Sequence, residues 1–244
     1  MGQIAYCRDS GELIEAFSLS DPDWDKLRTA PLGSILMPRT NWPAIPKVSI
    51  KGLKFFAHHQ GYTGIIPKPK SYAHTRLQID IVKTARKMGF TANLEVPGSR
   101  DNEDYWIADV IIEGQNGSKT AFEVQFSSQH LDDFLSRTSR YKNSGINVCW
   151  FLSENPVASR LCKALCHKNI DYYKKTGDFM SEHPELITFN IDIDDKNSYP
   201  ETLPDFRFSR GLEKLKRLNI EQCINGMMNG YPVWNSPDWV WEEK

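Results

Sequence analysis

Two carboxylates and an amide stand where a β-strand ordinarily carries hydrocarbon. Asp109 lies within Trp106-Ile107-Ala108-Asp109-Val110-Ile111-Ile112, and Glu123 and Gln125 lie within Thr120-Ala121-Phe122-Glu123-Val124-Gln125-Phe126. Both runs have strand length and apolar character. Gly114-Gln115-Asn116-Gly117 between them is a turn signal, so the two read as a hairpin. An inward carboxylate is costly unless a partner compensates it. A divalent cation is one such partner. Two carboxylates holding Mg²⁺ or Mn²⁺, with several waters retained, polarise a phosphate and activate water for phosphodiester hydrolysis. This reading makes Asp109 and Glu123 metal ligands and catalytic residues. Gln125, two residues beyond Glu123, projects from the same strand face and is placed to orient water or a phosphate oxygen. Glu95, at the end of the preceding strand, is a further ligand or a hydrogen-bonding partner.

The surrounding elements must hold these groups in place. Ser71 opens a helix to Met88, with Leu77, Ile81, Val82 and Ala85 as its apolar stripe and Gly89 as its stop. Phe90 to Val96 reads as a strand, followed by the hairpin. His130 to Asn143 reads as a helix closed by Ser144-Gly145, and Ile146 to Leu152 as a buried strand. The order helix, three-strand meander, helix, strand predicts an α/β domain, a mixed sheet with helices packed on it. Further along come a helix from Ala158 to Lys168, a strand from Leu186 to Ile191, a basic helix from Arg210 to Arg217 and a Trp-rich end. Residues 3–66 read as short strands and turns, and Gly61 to Pro69 as a linker or ordered loop. The expected division is a β-rich region at 1–68, a core at 69–200 and a C-terminal extension at 201–244.

Two helices add candidates. His74, in the first turn of its helix, reads as a proton shuttle, a phosphate contact or an ordinary structural histidine. Arg137 and Tyr141 are one turn apart. Arg137 reads as a phosphate clamp and Tyr141 as a core residue. Ser127 reads as a cap for the helix that follows.

The net charge of −1 hides an uneven distribution. Lys47, Lys51, Lys54, Lys68, Lys70, Arg76, Lys83, Arg86 and Lys87 are set against one acid, Asp80, between residues 47 and 90. Glu95, Asp101, Glu103, Asp104, Asp109 and Glu113 then follow with only Arg100 to oppose them. A basic face beside an acidic pocket suits a phosphate-bearing polymer, although a solvated helix face explains the same counts. Arg76, Lys83, Arg137 and Arg140 are the expected contacts to a DNA backbone, single- or double-stranded and without sequence readout.

Other patterns carry less. Five cysteines without framework spacing suggest reduced thiols and a cytoplasmic protein. No run is long and apolar enough to cross a bilayer, and the first residues do not resemble a signal peptide. His58-His59 lacks the partners of a histidine–asparagine–histidine metal site. Cys162 and Cys166 share a helix face without a second ligand pair, which favours buried thiols over zinc. Trp234, Trp239 and Trp241 either stack bases or dock into the core, and docking is the expectation.

Several local patterns, in order, resemble the CoiA-like competence-protein nucleases. They are Phe55-Phe56-Ala57-His58, Ser71-Tyr72-Ala73-His74, Ala108-Asp109-Val110, Glu123-Val124-Gln125-Phe126-Ser127, Arg137-Thr138-Ser139-Arg140-Tyr141 and Val148-Cys149-Trp150-Phe151-Leu152. They span roughly residues 50 to 152. The resemblance implies a PD-(D/E)xK, restriction-endonuclease-like core in which Glu123-Val124-Gln125 replaces Glu-x-Lys. It also implies a deoxyribonuclease handling incoming DNA, in competence or defence. Two departures stand out. Met37 to Pro43 has no cysteine where the family often carries a ribbon-like pair, so no zinc is expected there. Tyr105-Trp106 stands where the family tends to be basic. Against the enzyme reading stands a nucleic-acid-binding module whose core no longer cleaves, and a protein partner that gates activity is compatible with either.

Overall fold

The computed structural model describes residues 2–65, 69–99, 105–193, 195–209 and 215–243. The chain divides into two compact units, Met1–Lys70 and Ser71–Lys244. The first contains strands β1 (Ile4–Cys7) and β2 (Leu13–Glu15), helix α1 (Asp21–Arg28), and strands β3 (Ile35–Leu36), β4 (Ala44–Val48) and β5 (Lys54–His58). Strand β1 is flanked by β2 and β3, and β4 and β5 form an antiparallel hairpin. Trp24 and Phe56, 5.2 Å apart between ring centroids, anchor its core. Helix α1 was not expected in this stretch of strands and turns. It starts where the Ser20 hydroxyl accepts from the Asp23 amide, with Pro22 in the first turn.

The second unit begins with α2 (Tyr72–Lys87). The Ser71 hydroxyl accepts from the His74 amide at 3.3 Å, and Gly89 beyond the end takes a φ of +87°. Ala73, Leu77, Ile81 and Ala85 recur every fourth residue as its buried stripe. Strands β6 (Thr91–Gly98), β7 (Trp106–Glu113) and β8 (Lys119–Gln125) form an antiparallel meander. Then α3 (Leu131–Asn143) crosses over to β9 (Asn147–Ser153), which lies parallel to β8. A bend at Glu154–Ala158, extended at Asn155, then α4 (Ser159–Lys168) and α5 (Ile170–Thr176) return the chain to β10 (Thr188–Ile191), parallel to β9. Strands β11 (Phe206–Phe208) and β12 (Lys216–Leu218) complete a seven-stranded mixed sheet in the order β12-β11-β10-β9-β8-β7-β6. Helix α6 (Ile220–Asn229) and the hairpin β13 (Pro232–Asn235) and β14 (Asp238–Trp241) follow.

The α/β class holds, with α2 packed on β6, β7 and β8 and α3 on β7 and β9. Every residue from Ala108 to Ile112 is buried, the signature of a strand covered on both faces. The expected C-terminal extension is corrected in part, since β11 and β12 are strands of the same sheet. Of the expected basic helix from Arg210 to Arg217, Lys216 and Arg217 stand in β12, where Arg217 pairs with Arg207 of β11, while residues 210–214 lie outside the described residues. So do residues 66–68 of the linker and the acidic stretch 100–104.

Trp241 docks in the core, as expected for the tail. It packs against Phe208 at 5.0 Å, Phe189 at 6.0 Å and Tyr231 at 5.6 Å. Gly226 of α6 makes room for it, since a Cβ there would meet the indole at 2.0 Å. Trp234 and Trp239 pair with one another, and the Trp239 indole donates to the His183 carbonyl at 2.9 Å.

Candidate functional site

The strand register sets the site. Val110 pairs with Phe122, so one step further Asp109 stands opposite Glu123 on neighbouring antiparallel strands. Glu123 in turn pairs with Trp150 on β9. Leu94 and Val96 pair with Val110 and Ala108, which puts Glu95 opposite Asp109. Four strands thus contribute one transverse row: Glu95, Asp109, Glu123 and Trp150. Glu95 has a φ of +51°, a left-handed conformation that a non-glycine residue rarely takes within a strand.

Both central acids are buried, Asp109 at 8% exposure and Glu123 at 0%. The Asp109 Oδ2 accepts from the Val124 amide at 3.0 Å and lies 3.3 Å from His74 Nε2. The imidazole reaches it from the first turn of α2, where the Ser71 cap fixes the backbone, and its edge meets the Phe126 ring. Glu123 is held from α3. Its Oε2 accepts from the Arg137 guanidinium, and its Oε1 accepts from the Tyr141 hydroxyl. Tyr141 is also 3.3 Å from the Ile107 carbonyl oxygen. Trp150 supports the same clamp from below. Arg137 lies 4.8 Å over its ring, Phe134 packs edge-on against it at 4.7 Å, and its indole donates to Thr138 at 3.1 Å.

Electrostatics follow from these neighbours. Burial alone would lower the Arg137 pKa, but the Glu123 carboxylate, with Tyr141 and Asp109, more than offsets it and the net shift is upward. Burial, then Glu123, pushes the Tyr141 phenol well above its usual range, so it stays protonated and donates.

The expected residues fall into two groups. Asp109, Glu123, His74 and Arg137 come together, with Glu95 beside them in the register. Gln125 follows on β8, and its amide donates to the Ser127 carbonyl at 2.5 Å. Arg140 is exposed on α3, and Lys83 is exposed on α2. Arg76 lies 5.2 Å over the Tyr199 ring and donates to the Tyr72 hydroxyl at 3.3 Å. One expectation is corrected. Ser127 does not cap α3, because the helix begins at Leu131 and His130 occupies the cap position, where Asp133 accepts from its amide. Tyr141 is buried as expected, and its polar end also belongs to the site. The four-residue spacing from Arg137, which puts both on one helix face, was the available signal.

The oxygen-rich donor set has the chemistry that a hard cation selects. The arrangement does not fit one as it stands, since both Glu123 oxygens are already committed to Arg137 and Tyr141. Among the described residues, no three His, Cys, Asp or Glu side chains converge as a metal site. What the geometry does provide is a buried acid pair beside a fixed guanidinium, within a domain of mixed α/β class.

That class has a family. Residues 71–193 match the family described as competence protein CoiA, nuclease-like domain, and the chain belongs to it. The match begins at the Ser71 cap of α2 and runs through β10, so it contains every residue of the row described above. No curated protein matches the chain. Among the described residues, no helix is long and apolar enough to cross a membrane.

Proposed function

We propose that the chain is a nuclease with a restriction-endonuclease-like core, hydrolysing DNA phosphodiester bonds at Asp109 and Glu123. The observation that carries this reading is the facing pair of buried carboxylates on β7 and β8, a placement that stability alone does not favour. Membership of a family with a nuclease-like domain supports the nucleic-acid class of substrate. Arg137 supplies the positive charge that Gln125 cannot, so it is the residue to meet the charge that builds on a phosphate. His74 is positioned to exchange a proton with Asp109 or a phosphate oxygen. Arg140 and Lys83 would meet the backbone, and the expected biological setting is the processing of foreign DNA.

Dependence on Mg²⁺ or Mn²⁺ belongs to the same proposal, and it requires Glu123 to leave its clamp. A second reading, a DNA-binding module that does not cleave, is favoured by that clamp, which engages both oxygens of the Glu123 carboxylate. One experiment separates them. Single- and double-stranded DNA are incubated with the purified chain in Mg²⁺, Mn²⁺ or excess chelator, beside Glu123→Gln. Metal-dependent cleavage that the variant reduces at least ~100-fold supports the enzyme. DNA that shifts on a gel and stays intact with either metal supports the module.

A further inference from the structure

A cleft of about 200 Å³ opens beside the acid pair, lined by Tyr105, Trp106, Ile107, Arg137, Arg140 and Tyr141. Three aromatic rings and two guanidinium groups line it. One ring is fixed. The Trp106 indole donates to the Ser144 hydroxyl at 3.0 Å and lies 5.0 Å from the Tyr141 ring. Gly98, its cross-strand partner, makes the space, because a Cβ there would stand 2.2 Å from the indole. Another ring is open to water, Tyr105 at 51% exposure. Arg137 joins the cleft to Glu123, since the same guanidinium lines one and pairs with the other.

Aromatic rings stack on bases, and guanidinium groups bind the phosphates between them. The cleft is smaller than the ~300–1,000 Å³ that encloses a drug-sized ligand, which suits a single ring system. A base within a duplex is already stacked on both faces, so only an unpaired one can enter. We propose that Tyr105, Trp106 and Arg140 form a subsite for one unpaired nucleobase and its adjacent phosphate. The strand is thereby registered against Glu123, and single-stranded DNA or an unpaired end is preferred over duplex. This rests on the nucleic-acid reading of the preceding section and adds the strand type.

Fluorescence anisotropy of the full chain in chelator tests it, using labelled oligothymidylate and a duplex of the same length. Tyr105→Ala should weaken single-strand binding roughly tenfold and leave duplex binding within about twofold, while Tyr105→Phe retains the wild-type preference. Because Tyr105 is half exposed, its removal leaves the core intact, and a circular dichroism melt checks this. Unchanged single-strand affinity in Tyr105→Ala, an equal loss for both DNAs, or no binding of either overturns the subsite. Tyr105-dependent binding without cleavage in Mg²⁺ or Mn²⁺ keeps the subsite and removes the hydrolytic reading. Cleavage of both strand types that ignores Tyr105→Ala does the reverse.

Discussion

The two faces of the seven-stranded sheet are filled on different principles. On one face, from β8 to β11, the interior is aromatic. Phe151 stacks on Phe189 at 5.1 Å, meets Phe206 edge-on at 4.9 Å and lies 6.0 Å from Phe122, and Phe189 is 5.4 Å from Phe208. On the other face β7 and β8 carry Asp109 and Glu123, each compensated by named partners. The aromatic face gains free energy from every ring it buries. The acidic pair gains little, because desolvating a charged pair costs about as much as the pairing returns. A fold selected for stability alone would fill both faces alike, so the acidic face is where function is to be sought.

The contrast can be broken from either side. Phe189→Ala should cost the most, about 3–5 kcal/mol, from lost transfer energy and the cavity left behind. Urea unfolding followed by tryptophan fluorescence measures it. Arg137→Met should cost about 3 kcal/mol, the low end of the range for a broken buried pair, since the guanidinium is 32% exposed. Adding Glu123→Leu to Arg137→Met should restore most of that loss, whereas no second change rescues Phe189→Ala. A double-mutant cycle that finds the two changes additive would mean that the clamp is not a coupled unit. Tyr141→Phe removes one hydrogen bond to a carboxylate and should cost about 1.5–3 kcal/mol, read as a lower urea midpoint.

The smallest effect is a pH dependence. Burial, then an adjacent carboxylate, raises the phenol pKa of both Tyr141 and Tyr199, the neighbour being Glu123 for one and Asp80 for the other. A group whose folded pKa is raised contributes its stability in full below its unfolded pKa and loses it as pH rises beyond. Stability should therefore fall from about pH 10 upward, and Tyr141→Phe should flatten that decline. Urea midpoints at successive alkaline pH values would show it, and identical slopes in the two proteins would count against it.

The acidic face was the more legible in sequence. Asp109 and Glu123 interrupt apolar runs, and Gly114 to Gly117 mark the turn between them, so the pairing needs only the alternation of strands. Helix α2 carries a cap, Ser71, and an apolar stripe that can be read directly, whereas the His130 cap of α3 cannot. Tyr141 was read only as a core residue because a buried tyrosine looks the same in sequence whether its hydroxyl is engaged or not. The left-handed backbone at Glu95 has no local signal, since that conformation favours glycine. The C-terminal strands escaped notice for a different reason. Phe206-Arg207-Phe208 and Lys216-Arg217-Leu218 are three residues each, too short for a period to show, and they are strands because β10 offers an edge. Helix α1 was legible through Ser20 and Pro22, but its low apolar content hid it.

The most direct test of the central claim is the Asp109→Asn variant, in which the amide oxygen can still accept from the Val124 amide and so preserves the fold. Cleavage and DNA binding would be measured on the same sample in Mg²⁺ and Mn²⁺. The account predicts cleavage reduced at least ~100-fold with affinity for DNA unchanged. Cleavage at the wild-type rate would contradict it, and would place the chemistry away from the facing acids of β7 and β8.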